Sequence, residues 1–418
     1  MRTAWEKEQN INTYRYIDKT AAVVIFLAFT LLLVRVNAAY FSYILIVVST
    51  FFLGEAFCYK GIFPNAGRLN LYFVLSFASL YSGFLCAQLI NNDYTGIIIV
   101  LKWASYSVSM WLVWYICGSY FYKTPIKYGI YLGTFISSLA AIVECVHYPA
   151  ALFNAKGLYG HHNTLGAMMM LAIPVLLSFT FSENNKLGKV CGIFFVNLAI
   201  IGLIFSGSRG AIISLALALI VGFFIHMYIY WNTVRVDFKN AIKLTVIISF
   251  IIAICISGAY RVQMTRTDEA SLGGERILMV NSSLEMWNDY KLAGIGVSRW
   301  KDNYNGIYKQ EGSHETGLNY DHNIITFSLA TAGVIGAIGL IASFAAMIVG
   351  FYKVYIISNN KIMIEGLFIS FLAFFIHCQV NPDLQNNTIP RLYFALIGLA
   401  MADYSNSLTS QYRRWKKT

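Results

Sequence analysis

Charge is what this sequence has least of. Only 12% of its residues are Asp, Glu, Lys or Arg, against roughly 25% in a soluble domain, too few to cover a water-facing surface. Proline is scarce as well, with 6 residues in 418, so little interrupts the apolar runs. The 7 cysteines are scattered in or beside those runs. None forms a CxxC pair and none falls in the one long polar stretch, which excludes a disulfide framework and a zinc module. No Asp-x-Asp motif occurs, and its absence argues against a divalent-metal sugar-diphosphate site. Met1 to Lys19 is polar, carries acids and offers no cleavage site, so it reads as a tail and not a signal peptide. With no internal repeat, low-complexity tract or separate soluble domain, residues 1–418 read as a single polytopic membrane domain.

What is present is apolar: 57% of the residues are hydrophobic. A span needs about 20 mostly apolar residues, and inside lipid every backbone polar group must be satisfied within its own helix. The expected fold is therefore an all-α integral membrane protein. Apolar runs cover Ala21 to Val36, Phe41 to Phe57, a third run ending at Ile90, Gly96 to Cys117, Tyr128 to Tyr148 and Thr164 to Phe181. Further runs are Val190 to Phe205, Ala211 to Trp231, Leu244 to Ala259, Asn323 to Phe351, Ile362 to Val380 and a short last one from Arg391 to Met401. That makes about twelve transmembrane helices. Glu55, Lys102, Glu144 and Glu365 fall in these runs, where an ionisable group is a functional candidate by default or else snorkels to an interface.

The cations orient this array, because cytoplasmic loops carry the excess of Lys and Arg. With the amino terminus inside, the cytoplasmic side collects the basic tails and turns, among them Lys60, Arg68, Lys123, Lys127, Lys186 and Lys189. The short connections on the other side hold only Arg35, Lys156, Arg209 and Arg391. Both termini are thus expected in the cytoplasm. Residues 260–321 form one large segment on the opposite, periplasmic face, and the net charge of +11 is membrane topology, not a nucleic-acid signal.

Within that segment, Ile277, Val280, Leu284 and Trp287 recur at helical spacing, so an amphipathic helix is expected, lying on the membrane or packed over the bundle. Gly273-Gly274 is read as a break that leaves Arg276 in the first turn. A cation there opposes the helix dipole, so Arg276 is either an interfacial anchor or an anion ligand. Arg209 lies in Ser206-Gly207-Ser208-Arg209-Gly210, which opens an apolar run. Free backbone donors at a helix start together with a guanidinium suit a phosphate, although an arginine marking the interface reads the same way. His322 stands where the polar segment re-enters the membrane, and a neutral imidazole there is able to take a proton from a hydroxyl. Asp321 beside it is a weak candidate for orienting the ring, because adjacent helical residues point apart. His161-His162 has no ligand set around it to hold a metal. Gly294-Ile295-Gly296 lacks the strand and helix of a nucleotide fold and reads as a turn.

Taken in order, several of these segments resemble the O-antigen ligase and O-antigen polymerase family of bacterial membrane glycosyltransferases. They are Gly160-His161-His162-Asn163-Thr164-Leu165-Gly166-Ala167, Ser208-Arg209-Gly210-Ala211, the helix from Arg276, Gly294-Ile295-Gly296-Val297, and His322-Asn323 leading to Ala332-Gly333-Val334-Ile335-Gly336. The resemblance implies an inverting, metal-independent transferase without cofactors, of the lipid-linked-sugar glycosyltransferase (GT-C-like) type, at the periplasmic face of the inner membrane. Its donor would be a polysaccharide on undecaprenyl diphosphate. The acceptor would be the lipid A core oligosaccharide in a ligase, or another lipid-linked repeat unit in a polymerase. Arg209 and Arg276 would hold the diphosphate and His322 would handle the acceptor proton. His162, Asn163, Asp321, Asn323, Asp383 and Arg391 are expected to line the same cavity.

The compact length and single large segment favour the ligase over the polymerase. A polysaccharide transporter or flippase is a reading of another class, but the chain shows no pair of related halves with matching interrupted helices. The orientation is testable by cysteine labelling. A cysteine introduced at Asn154 should react with an impermeant thiol reagent from outside and one at Asn184 should not; labelling at Asn184 would invert the topology.

Overall fold

Apolar runs that must satisfy their own backbone become helices, and among the described residues the chain contains helices and no strand. The computed structural model describes residues 4–34, 38–58, 69–117, 123–233, 270–381 and 383–415. The expected span from Leu244 to Ala259, the start of the polar segment before Ala270, and Arg35 lie outside them. The helices are α1 (Ala4–Leu33), α2 (Ala38–Cys58), α3 (Leu71–Ile90), α4 (Tyr94–Tyr106), α5 (Val108–Ile116), α6 (Lys123–His147) and α7 (His162–Phe181). There follow α8 (Lys186–Ser206), α9 (Arg209–Thr233), α10 (Ala270–Asp289), α11 (Ile324–Ile357), α12 (Lys361–His377) and α13 (Ile389–Trp415).

Seven stretches are long and apolar enough to cross a membrane: α3, α4 with α5, α6, α7, α8, α9 up to Tyr228, and α11. The other expected spans fall on shorter or less apolar helices or outside the described residues. Three boundaries differ from expectation. The polar amino-terminal tail is helical from Ala4. The short last run is the first part of a 27-residue helix, and α10 continues through Gly273 and Gly274, so Arg276 sits in its second turn. Glycine weakens a helix by only about 1 kcal/mol per residue, which packing of the whole element overrides.

Helix starts follow short polar side chains. Asn70, Asp93, Asn185 and Asn360 each accept a hydrogen bond from a backbone N–H in the first turn that follows, at 3.1, 2.9, 3.1 and 3.2 Å. α7 is the central helix, with 83% of its membrane-length stretch buried against 33% for α8. α3 and α11 pack closely over small residues. A Cβ on Gly83 would meet the Ile335 carbonyl at 3.0 Å, and the Ser76 and Ser343 hydroxyls bond at 2.9 Å. Of the ionisable groups in apolar runs, Glu365 pairs with His226 at 2.9 Å and Glu144 accepts from the Lys156 and Gly157 N–H groups, both structural roles.

The feature that positions the site is a reversal inside α11. Gly333 has φ 61° and ψ −157°, outside helical space. Before it, Phe327 packs on Trp103 and the Thr331 carbonyl accepts from Gln88. After it, the chain runs back along α3 until Asn70 bonds the Gly350 carbonyl at 3.1 Å, so Ile324 and Leu340 line the same apolar cavity. Residues 291–296 strap the bend: the Val334 and Ile335 N–H groups donate to Lys291 and Leu292, and those of Ile295 and Gly296 donate to Ala330 and Thr331. The expected turn at Gly294 and Gly296 is this strap, with φ of 65° and 100°. Asp93 anchors it by accepting from Ser298 Oγ at 2.5 Å and Ser298 N–H at 3.0 Å.

A Cβ at Gly333 would lie 2.3 Å from the Leu292 carbonyl oxygen, in a conformation nearly reserved for glycine. Gly333→Ala should therefore cost more than about 3 kcal/mol and collapse the folded yield in detergent. Gly274, with nothing within 4 Å of its Cβ position, should accept alanine without loss. Equal thermal stability of the two variants would refute this account of the bend.

Candidate functional site

Arg209 is the first residue of α9. The turn before it is fixed sterically. Gly207 has φ 62°, and a Cβ there would lie 1.6 Å from the Phe153 carbonyl oxygen, so the α8–α9 corner is pressed onto the 152–161 loop. Ser208 is buried, and its hydroxyl is without a hydrogen-bond partner. On the other side, a Cβ on Gly210 would stand 3.3 Å from His377 Nε2. Arg209 thus follows a backbone corner with no room for a side chain at Gly207.

Arg276 and Ser283 are seven residues apart on α10, hence on one face. Ser283 faces inward: it accepts from Trp300 Nε1 at 2.9 Å and donates to the Asp321 carboxylate. Arg276 is close enough to His322 to act on its titration. Glu275 ties the same end of the helix to the following loop, accepting from Ser313 Oγ at 2.7 Å and His314 N–H at 2.6 Å. The inward face of α10 therefore carries Glu275, Met279, Ser282, Ser283 and Met286. Of the apolar stripe read from the sequence, Ile277 and Leu284 remain exposed, so that stripe points away from the bundle.

His322 precedes α11 with φ 66°, a conformation rare for a non-glycine residue. Its ring stands edge-on to Tyr320 at 5.2 Å, and its Nδ1 is buried without a hydrogen-bond partner. Burial, then the Arg276 guanidinium and His161, push the imidazole down to about 4. It is neutral at physiological pH. Asp321 does not orient this ring. Its carboxylate accepts from Thr326 Oγ1 at 2.6 Å and Asn323 N–H at 3.0 Å as well as from Ser283, while burial raises it to about 6. Asn323 caps α11 by accepting from the Ile325 and Thr326 N–H groups and donates to the Gln379 carbonyl. Both residues hold the turn that presents His322.

His161 caps α7, accepting from Asn163 N–H at 3.1 Å, and stacks on His162 with ring centres 4.5 Å apart. Asn386 bonds Thr164 at 3.4 Å, which brings the 383–388 loop to the same place. That loop supplies Asp383, fully buried, whose Oδ2 pairs with His377 Nδ1 at 2.5 Å. Asp383 also acts electrostatically on Tyr320, beside His322. Gly210 thus lies against His377, which pairs with Asp383; Asp383 acts electrostatically on Tyr320, which packs on His322, and Arg276 and His161 act electrostatically on His322 in turn. The sequence reading missed His377; its one signal was a histidine at a helix end followed by an Asn-Pro-Asp turn. Arg391 is buried one turn further on, against Tyr106. Among the described residues, no group of three or more His, Cys, Asp and Glu side chains is placed to hold a metal ion.

Two arginines, one at a helix start, and a neutral histidine suit an anionic substrate and a proton to be moved. No curated protein matches the chain. The family model described as O-antigen ligase matches residues 194–341. That stretch holds Arg209, Arg276 and His322, while His162, Asn163, Asp383 and Arg391 fall outside it. The match lies in a chain with seven helices long and apolar enough to cross a membrane, and it supports the O-antigen ligase and polymerase family for residues 194–341.

Proposed function

We propose that the protein is an O-antigen ligase of about twelve spans and the lipid-linked-sugar glycosyltransferase type, working at the periplasmic face of the bacterial inner membrane. It transfers a polysaccharide from undecaprenyl diphosphate to the lipid A core. The observation that carries this reading is the family match over the stretch that holds Arg209, Arg276 and His322, with Arg276 beside His322.

Arg209 and Arg276 hold the diphosphate and offset the charge that grows on its oxygen as the bond to the anomeric carbon breaks. The acceptor hydroxyl attacks that carbon from the opposite face, so configuration inverts. Its proton passes to His322, and the lipid diphosphate leaves. The depressed imidazole fits this order of events. Part of its depression comes from Arg276, and a diphosphate bound on Arg276 cancels that part, so the donor makes His322 a stronger base as it arrives.

Three results test the site. Arg209→Ala and Arg276→Ala should each cost about 100-fold or more in turnover, with lysine rescuing partly because it offers a point charge in place of a fork. His322→Ala should cost about 100- to 10,000-fold; full activity in folded variants would reduce these residues to interface markers. In the wild type, the acid limb of kcat/KM should lie well below 6.5, toward about 4, and the limb of kcat should lie at higher pH, because donor binding relieves the imidazole. Coincident limbs at 6.5 would contradict the proposed coupling.

The acceptor is decided in cells lacking the protein. A ligase defect leaves full-length chains on the carrier and bare lipid A core. A polymerase defect leaves core capped with one repeat unit, and that outcome would move the assignment to the polymerase. Normal surface polysaccharide would sink both.

A further inference from the structure

The charged side chains that the fold buries are matched, with one exception. Asp93 accepts from Ser298 and Gly96, Glu275 from Ser313 and His314, and Asp321 from Thr326 and Asn323. Asp383 is paired with His377, and Asp403 with Lys123 at 2.5 Å. Arg391 is the exception. It is 9% exposed, the only buried arginine or lysine among the described residues, and no carboxylate there stands beside it.

Its surroundings are polar but neutral. Nε donates to Ser42 Oγ at 3.1 Å and Nη1 donates to the Asn387 carbonyl. The guanidinium stands 4.5 Å over the Tyr106 ring, whose hydroxyl is held on Asn387 Oδ1 at 2.6 Å. Arg391 is also the third residue of α13, where the helix end adds positive potential of its own. Two positive elements are thus buried together without a negative one, and the planar fork still has N–H groups to offer. Such a charge is retained where an anion completes it. Nearby on α2, Tyr40 and Tyr43 are 52% and 60% exposed, amphipathic rings of the kind that sit at the level of lipid head groups.

We infer that Arg391, with Ser42, Asn387 and the Tyr106 ring, forms a second anion subsite that takes a phosphate carried by a membrane lipid. On the ligase reading, on which this assignment to a substrate rests, the phosphate belongs to the acceptor glycolipid. The subsite is made of residues other than Arg209 and Arg276, and Asn386, next to Asn387, bonds Thr164 in the first turn of α7. It orients the acceptor without touching the reacting atoms.

The test is binding, so it does not depend on turnover. Purified full-length protein in neutral detergent is titrated with lipid A, with dephosphorylated lipid A, and with phosphatidylglycerol, and followed by native mass spectrometry and thermal unfolding. Phosphorylated lipid A should bind and stabilise the wild type, dephosphorylated lipid A should not, and Arg391→Gln should weaken binding about 10- to 100-fold. Arg391→Lys, which keeps the charge inside the fold, should lose part of that affinity. Phosphatidylglycerol binding as tightly, with the same loss in Arg391→Gln, would keep the phosphate subsite and assign it to a phospholipid headgroup. Equal binding with and without the phosphate, or undiminished binding to a folded Arg391→Gln or Arg391→Lys, overturns the subsite. A protein that binds as described but transfers nothing refutes the ligase reading and leaves the subsite standing.

Discussion

The site end of the molecule depends on a backbone reversal that a side chain would block. At Gly333 the chain turns out of the helix so close to Leu292 that a Cβ would lie 2.3 Å from its carbonyl oxygen. Six apolar and small residues on either side would otherwise continue as one straight helix, and His322 would be carried to the far end of it, away from α10 and α7. With the reversal, Ile324 comes back beside Leu340, and the turn at 321–323 is lowered into the bundle against Cys378, whose carbonyl accepts from Ile324 N–H at 2.9 Å. The strap at 291–296 then closes over the bend, and α10 is drawn in behind it because the strap is its own continuation.

That descent explains the electrostatics. A histidine on a surface loop would keep its ordinary titration; this one is buried and faces a guanidinium and a second histidine, so it stays neutral. Asp321, lowered with it, pays no such penalty alone, because three donors from α10, α11 and the turn converge on it. The neighbouring residues at 321 and 322 are pushed in opposite directions by one cause. Burial disfavours the carboxylate and the imidazolium alike, so His322 adds no positive charge of its own beside Arg276.

Hydropathy made most of the helices legible, since the composition of a lipid-facing run is the physical requirement itself. Arg209, Arg276 and His322 stood out in the sequence because each is a cation or a titratable group at a boundary where such residues are scarce, and the structure places them at the start of α9, in the second turn of α10 and in the turn before α11. What the sequence concealed were contacts. The apolar stripe of Ile277 and Leu284 left open whether the helix lies on the membrane or packs over the bundle; the stripe is exposed, and the inward face of α10 carries serines and methionines, among them Ser283, which bonds Asp321 and Trp300. Gly273-Gly274 looked like a break, but its cost is small beside the packing of a 20-residue helix. The pairing of His377 with Asp383 spans a turn that no periodicity describes. The isolation of Arg391 appears only when every other buried charge has been matched to its partner.

The two arginines proposed to hold the diphosphate are supported by different forces. Arg209 follows a corner fixed by steric exclusion, where Gly207 meets the Phe153 carbonyl and Gly210 meets His377. Nothing about that corner titrates in its backbone geometry. On α10, Glu275 precedes Arg276 and ties that end of the helix to the 313–315 loop; burial works to raise its carboxylate, but the His314, Ser313 and Glu315 donors outweigh it and keep the group below the usual range. A carboxylate so placed contributes its hold above the ordinary carboxylate range and loses it as pH falls through its lowered value. The corner before Arg209 is set by steric exclusion and the anchoring of this end of α10 by a carboxylate, and it is Arg276, on α10, that also depresses His322. On the proposed reading, the anion-holding and proton-accepting halves of the site are coupled through a single guanidinium, Arg276, which acts on His322.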